Sequence, residues 1–122
     1  MEELGILLQL ARRKAEIDRT STWSEGAKTY LSELKAEVDE VTDEIANQRH
    51  CHLEDELGDV LWDYLNALVA LEDEAGIKIE SVLKRACNKY HERISGIENG
   101  VSWQAIKERQ KMALEDEQSS CE

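Results

Sequence analysis

Leu31, Leu34, Val38, Val41 and Ile45 follow one another at alternating steps of three and four residues. That spacing brings an apolar side chain back to one face of a 3.6-residue helix on every turn, and no strand reproduces it. Val82, Leu83, Ala86, Tyr90 and Ile94 form a second such set, and Leu53, Leu57, Val60, Leu61 and Leu65 a third. The chain has no proline, no phenylalanine and only six glycines, so little in it breaks a helix. Alternating β-branched runs are missing as well, and an all-α fold is expected.

Periodicity places helices at about 3–17, 24–46, 52–75 and 79–95, with a shorter fifth from residue 103. Gly76 is a stop signal, Asn99-Gly100 the centre of a turn, and Ser102 a cap for the last helix. A four-to-five-helix bundle over residues 1–110 is the expected domain. Residues 111–122, ending in EDEQSSCE, have nothing to bury and are expected to fray.

Formal net charge is -12, which disfavours nucleic-acid polymers as partners. No apolar run approaches the roughly 20 residues of a membrane span. The opening MEELGILLQLARRK has its acids first and its bases last, the reverse of a signal peptide. Cys51, Cys87 and Cys121 are odd in number and lack CxxC spacing. Free thiols in a reducing cytoplasm are expected, with neither a disulfide frame nor a zinc knuckle.

The acids are not spread evenly. With Glu56 at zero on its helix, Asp59 falls at about -60° and Asp63 at about -20°, while Val60, Leu53, Tyr64 and Leu57 lie between roughly +40° and +100°. With Glu37 at zero, Glu40, Glu33 and Glu44 lie at about -60°, -40° and -20°, beside Val41, Leu34, Ile45 and Val38. Both acid stripes therefore border the apolar face on the same rotational side. If the two helices pack antiparallel through their apolar faces, an approximate two-fold axis brings both stripes out on one side of the hairpin. Glu37 and Glu40 then face Glu56 and Asp59 across a groove. Carboxylates so gathered repel one another unless a cation intervenes, and hard divalent ions take such oxygens. Asp63 and Glu33 stand one turn away as possible outer partners, and Gly58 leaves room for a close approach.

Arg85, Lys89 and Arg93 form a basic ridge at i, i+4 and i+8 on the fourth helix. Either they pair with surface acids, or they grip phosphate. A carboxylate-bridged di-iron bundle is disfavoured, because its Glu-x-x-His pattern is missing: Asn47, Arg49 and Asn88 stand three residues before the histidines. His50 and His52 flank Cys51 in a link too short to wrap a metal. The non-catalytic alternative is an all-α dimeric interaction module whose acidic face is merely solvated.

LKAEVDEV followed by EDELGDVLWDYL resembles the paired acidic signature of the MazG-like, all-α nucleotide pyrophosphohydrolases. Glu37, Glu40, Glu56 and Asp59 match that family's metal-binding acids, and NKYHER resembles its downstream element, with Lys89 and Arg93 near the phosphates. Ala36 departs from the pattern, which has Glu there, and Asp55 stands where Glu is common. The resemblance implies hydrolysis of (deoxy)nucleoside triphosphates to monophosphate and pyrophosphate, as nucleotide-pool house-cleaning. It also implies Mg²⁺ (or Mn²⁺) as cofactor and a homodimer or dimer of dimers as the active form. In that reading water attacks the α-phosphorus, with one of the glutamates, such as Glu40, orienting it. Trp23 either stacks on the base or acts as a hydrophobic staple. Asn66, at about -80° on the acid stripe, is a candidate for sugar or base.

Overall fold

The computed structural model describes residues 2–121 and is all-α, with no strand among them. Its helices are α1 (Glu2–Asp18), α2 (Ala27–Ile45), α3 (His50–Ala75), α4 (Ile79–Glu98) and α5 (Trp103–Cys121). They fall into two compact units, α1 to α3 as far as Ile79, and Glu80 onward.

In the first unit α2 and α1 both pack on α3. The reason is the run Leu65, Asn66, Ala67, Leu68 and Val69, which is buried around the whole circumference of α3. A helix apolar on one stripe needs one neighbour, whereas one buried all round needs several. Ala11, Ala27, Tyr30 and Ile79 are buried in the same unit. Alanines at Ala11, Ala27 and Ala67 let the helices come close together. The first half of α3 is less covered: Leu57, Leu61 and Tyr64 are exposed, as are Leu31, Val38 and Ile45 on α2.

Residue 24 was the expected start of α2, yet the helix begins at Ala27. Gly26 has φ +90°, which side-chain-bearing residues rarely adopt. The segment before it is tied by local bonds, Gly26 N–H donating to Ser24 Oγ at 3.1 Å and Glu25 N–H to Thr29 Oγ1 at 2.8 Å. The cap comes from the far end of α3, where Glu74 Oε2 accepts the Ala27 N–H at 2.8 Å. Glu72 does the same for the start of α4, accepting from Ile79 N–H at 3.1 Å and from Arg12 at 2.7 Å. The Arg12 guanidinium holds the Glu72 carboxyl below its usual range. At the other end of the α2–α3 hairpin, Arg49 pairs with buried Glu44 at 2.7 Å.

In the second unit, α4 meets α5 where Gly96 faces Ile106: a Cβ at Gly96 would lie 2.1 Å from Ile106 Cδ1. Ser102 caps α5, its Oγ accepting the Ala105 N–H at 3.1 Å. Arg93 is buried against the rings of Tyr90 and Trp103, and its Nε donates to Gln110 Oε1 at 2.8 Å. The tail expected to fray is helical as far as Cys121. Its Met, Ala, Leu, Glu and Gln residues favour helix, and Glu117 takes a two-pronged bond from Arg85. The three cysteines are free and exposed. No helix of the described chain is long and apolar enough to cross a membrane.

Gly26→Ala should cost about 2 kcal/mol, combining backbone strain with displacement of Glu74, whose Oε2 lies 2.5 Å from the new Cβ position. Glu74→Ala should cost about 1 kcal/mol through the cap alone. Urea unfolding measures both, and the glycine variant should be the less stable.

Candidate metal centre

The hairpin of α2 and α3 has a regular register. Reading up α2 and down α3, Glu44 lies near His52, Glu40 near Glu56, Glu37 near Asp59 and Glu33 near Asp63. One step further, Tyr30 and Asn66 line the same cavity. Each move of three or four residues on one helix is matched by an equal move on the other, as expected of two antiparallel helices in contact. The acid stripes therefore face each other.

One carboxylate oxygen each from Glu37, Glu56 and Asp59 lies within 4.8 Å of the others. Glu40 stands outside that trio, exposed, with its carboxyl against both Glu37 and Glu56. Glu37 Oε2 and Glu56 Oε2 are buried without a hydrogen-bond partner, and so is Asp63 Oδ2. Among the described residues no ion pair involves any of the four acids; the Lys and Arg pairs lie elsewhere.

The titration behaviour follows from this crowding. The adjoining Glu40 carboxyl, then burial and the Asp59 charge, push Glu37 up to about 8. Burial, then Glu40, raises Glu56. Burial raises Asp59 too, with Asp55 and Glu40 adding to it. Asp63, deep in the hairpin, is pushed up to about 6 by burial, with Glu33 and Asp59 behind it. Gathered carboxylates with no cation beside them resist ionisation, and a divalent ion relieves the cost. Gly58 leaves open space, since a Cβ there would meet nothing within 4 Å.

The other residues singled out in the sequence lie apart from this cluster or in the second unit. Trp23 is half exposed in the loop before α2, edge-on to Tyr30 with ring centres 5.4 Å apart and the Lys14 ammonium 4.6 Å from its own. Asn66 is buried, and its Nδ2 donates to Trp62 O at 2.8 Å. Lys89 and Arg93 are on α4 in the second unit, the Lys89 ammonium 5.6 Å from the Tyr90 ring centre. Arg85, part of the same ridge, is taken up by Glu117.

Sequence reasoning missed Asp18, Tyr30 and Lys14. The Tyr30 hydroxyl and the Lys14 ammonium both bond the Asp18 carboxylate, and Lys14 also donates to Tyr30 Oη at 3.1 Å. One signal for Tyr30 was present: it precedes Glu37 by two turns and shares its side of α2.

Facing helices that gather carboxylates with buried, partnerless oxygens define an all-α protein with a cation-type acidic cluster. A family model described as the MazG nucleotide pyrophosphohydrolase domain matches residues 25–96, more than half of the chain, and the chain belongs to that family. All four clustered acids fall inside the matched segment. No curated protein and no solved structure matches the chain.

Because the folded state holds the Glu37 proton up to about 8, against an ordinary value of 4.5, it binds more protons than the unfolded chain between those limits. Metal-free stability must then fall as pH rises through that window. Melting curves in a chelator should show Tm declining from about pH 5 to pH 8 by a few degrees, with Glu37→Gln flattening the decline. A flat or rising Tm for the unaltered chain would show that the acids do not repel one another.

Proposed function

We propose that this protein is a divalent-metal-dependent pyrophosphohydrolase of (deoxy)nucleoside triphosphates, yielding monophosphate and pyrophosphate, and that it serves nucleotide-pool house-cleaning in the cytoplasm. The observation that supports this best is the pair of buried, partnerless oxygens on Glu37 and Glu56, inside the matched family segment. Three oxygens within 4.8 Å of one another suit a hard cation bound at roughly 2.0–2.6 Å from each. Mg²⁺ is the first choice and Mn²⁺ the second, since the donors are all carboxylate. When bound, such a cation lowers the pKa of a water nucleophile and neutralises charge on the phosphates.

The chain's own residues do the rest. Glu37, Glu56 and Asp59 hold the metal and, once it is bound, lose the mutual repulsion that raises their proton affinity. Glu40, exposed beside two of them, is the carboxylate to orient the attacking water towards the α-phosphorus. Asp63, with Glu33 on the facing helix, supports the cluster from one turn away. Lys89 offers a point charge to phosphate, and Arg93, one turn along α4 and buried against Tyr90, Trp103 and Gln110, backs it with a second positive charge. Trp23 and Asn66 serve the base or sugar end.

Self-association belongs to the same proposal. Leu31, Val38 and Ile45 on α2, with Leu57, Leu61 and Tyr64 on α3, leave apolar area open beside the acid groove. A second copy of the chain is the proposed cover, giving a homodimer or dimer of dimers.

Incubation with each nucleoside triphosphate and Mg²⁺, read by pyrophosphate release, tests the reaction. Asp59→Asn and Glu56→Gln should each lower kcat on the order of 10²-fold or more while the protein stays folded. Lys89→Ala should mainly raise KM for the triphosphate. Folded protein that cleaves no nucleotide, and whose Tm ignores millimolar Mg²⁺, would favour the interaction module instead. Sedimentation across a dilution series reads the self-association.

A further inference from the structure

A cavity of about 200 Å³ opens at the end of the α2–α3 groove, two turns beyond the acid cluster along both helices. That volume equals about six or seven waters. Asp18, Ser24, Tyr30, Asn66, Asp73 and Glu74 are among its lining.

The polar groups of this lining divide unevenly. The Tyr30 hydroxyl donates to Asp18 and Asn66 Nδ2 to Trp62 O, while the Ser24 hydroxyl accepts from Gly26 N–H and keeps its own proton to donate. Burial, first of all, raises the Tyr30 phenol, so that proton stays in place. Arg19, at the mouth, is directed to Glu16 and Asp73. Asp18 is taken up by Lys14 and Tyr30, but three acceptors of the lining are free. Asn66 is 98 % buried, since its exposure is 2 %, and lines the cavity. Its amide orientation is set by the bond to a carbonyl, so Oδ1 is the atom left over, and it accepts nothing among the described residues. Glu74 spends Oε2 on Ala27 and Asp73 spends Oδ2 on Arg19, leaving one oxygen of each.

A triphosphate does not enter such a place, because carboxylates repel it. Resting on the pyrophosphohydrolase reading, the groove then fixes the substrate's direction, with phosphates at the cation held by Glu37, Glu56 and Asp59 and the other end in this cavity. We infer that the cavity selects a nucleobase presenting an exocyclic amino group, and discriminates against bases whose edge has carbonyls on both sides of a single N–H. Cytosine and uracil make the sharpest comparison, being equal in shape. Cytosine offers two amino hydrogens where uracil offers a carbonyl oxygen. Facing that oxygen with Asn66 Oδ1 or a carboxylate leaves both without a partner, and sites built on hydrogen bonds reject such analogues strongly.

The test uses the full-length protein and two matched pairs. With Mg²⁺, kcat/KM should favour CTP over UTP by at least about tenfold. Without metal, CMP should raise Tm more than UMP does. Glu74→Gln supplies the diagnostic reversal. Its amide oxygen can keep the Ala27 N–H while its amino group faces the cavity, so the CTP/UTP ratio should fall while Tm is little changed. Asp73→Asn is the companion variant if the first fails to fold. Equal rates for the two nucleotides, preference for UTP, or an unchanged ratio in the amide variants would overturn the inference and leave the reaction assignment standing. CMP binding over UMP with no triphosphate cleaved would do the opposite. Neither binding nor cleavage would remove both.

Discussion

The antiparallel register of α2 and α3 is the constraint on which the rest depends. A slip of one residue turns a helical side chain by about 100°, enough to take Glu37 or Asp59 out of the groove. The register is pinned at both ends by polar contacts, Arg49 with Glu44 at the turn and Glu74 with the Ala27 N–H at the open end. Ala27 and Ala67 are buried, and side chains so small allow a close approach of the axes. The acids contribute nothing favourable to this arrangement; without a cation they strain it.

The same helix treats its acids in two opposite ways. At its C-terminal end Glu72 meets Arg12 and a free N–H, and its carboxyl is held low. In its N-terminal half Glu56 and Asp59 meet other carboxyls, and theirs are raised. Residue type is the same in both places, so the difference lies in what the facing helix presents. A net charge of -12 therefore describes two populations, one that holds the fold together and one that waits for a counter-charge.

Much of this was legible in the sequence, because helical periodicity is local information. The wheel angles of Glu37, Glu40, Glu56 and Asp59 placed them on matching sides of their helices, and a short link required antiparallel neighbours. What stayed hidden was set by distant residues. The start of α2 is decided by Glu74, separated from Ala27 by 47 positions. Arg93 read as one member of an exposed ridge, yet Trp103 and Gln110 of another helix enclose it. Asp18 and Lys14 of α1 are gathered by Tyr30 of α2, a pairing that no local spacing announces. The tail has nothing to bury, yet its helix-favouring residues carry α5 on to Cys121.

The 26 residues of α3 are divided lengthwise between two duties. From Leu65 onward they hold the interior together, whereas the stretch before it presents acids and has its apolar side chains partly uncovered. Side chains around Glu56 and Asp59 therefore carry little of the packing, and a change there disturbs the interior less than one between Leu65 and Val69.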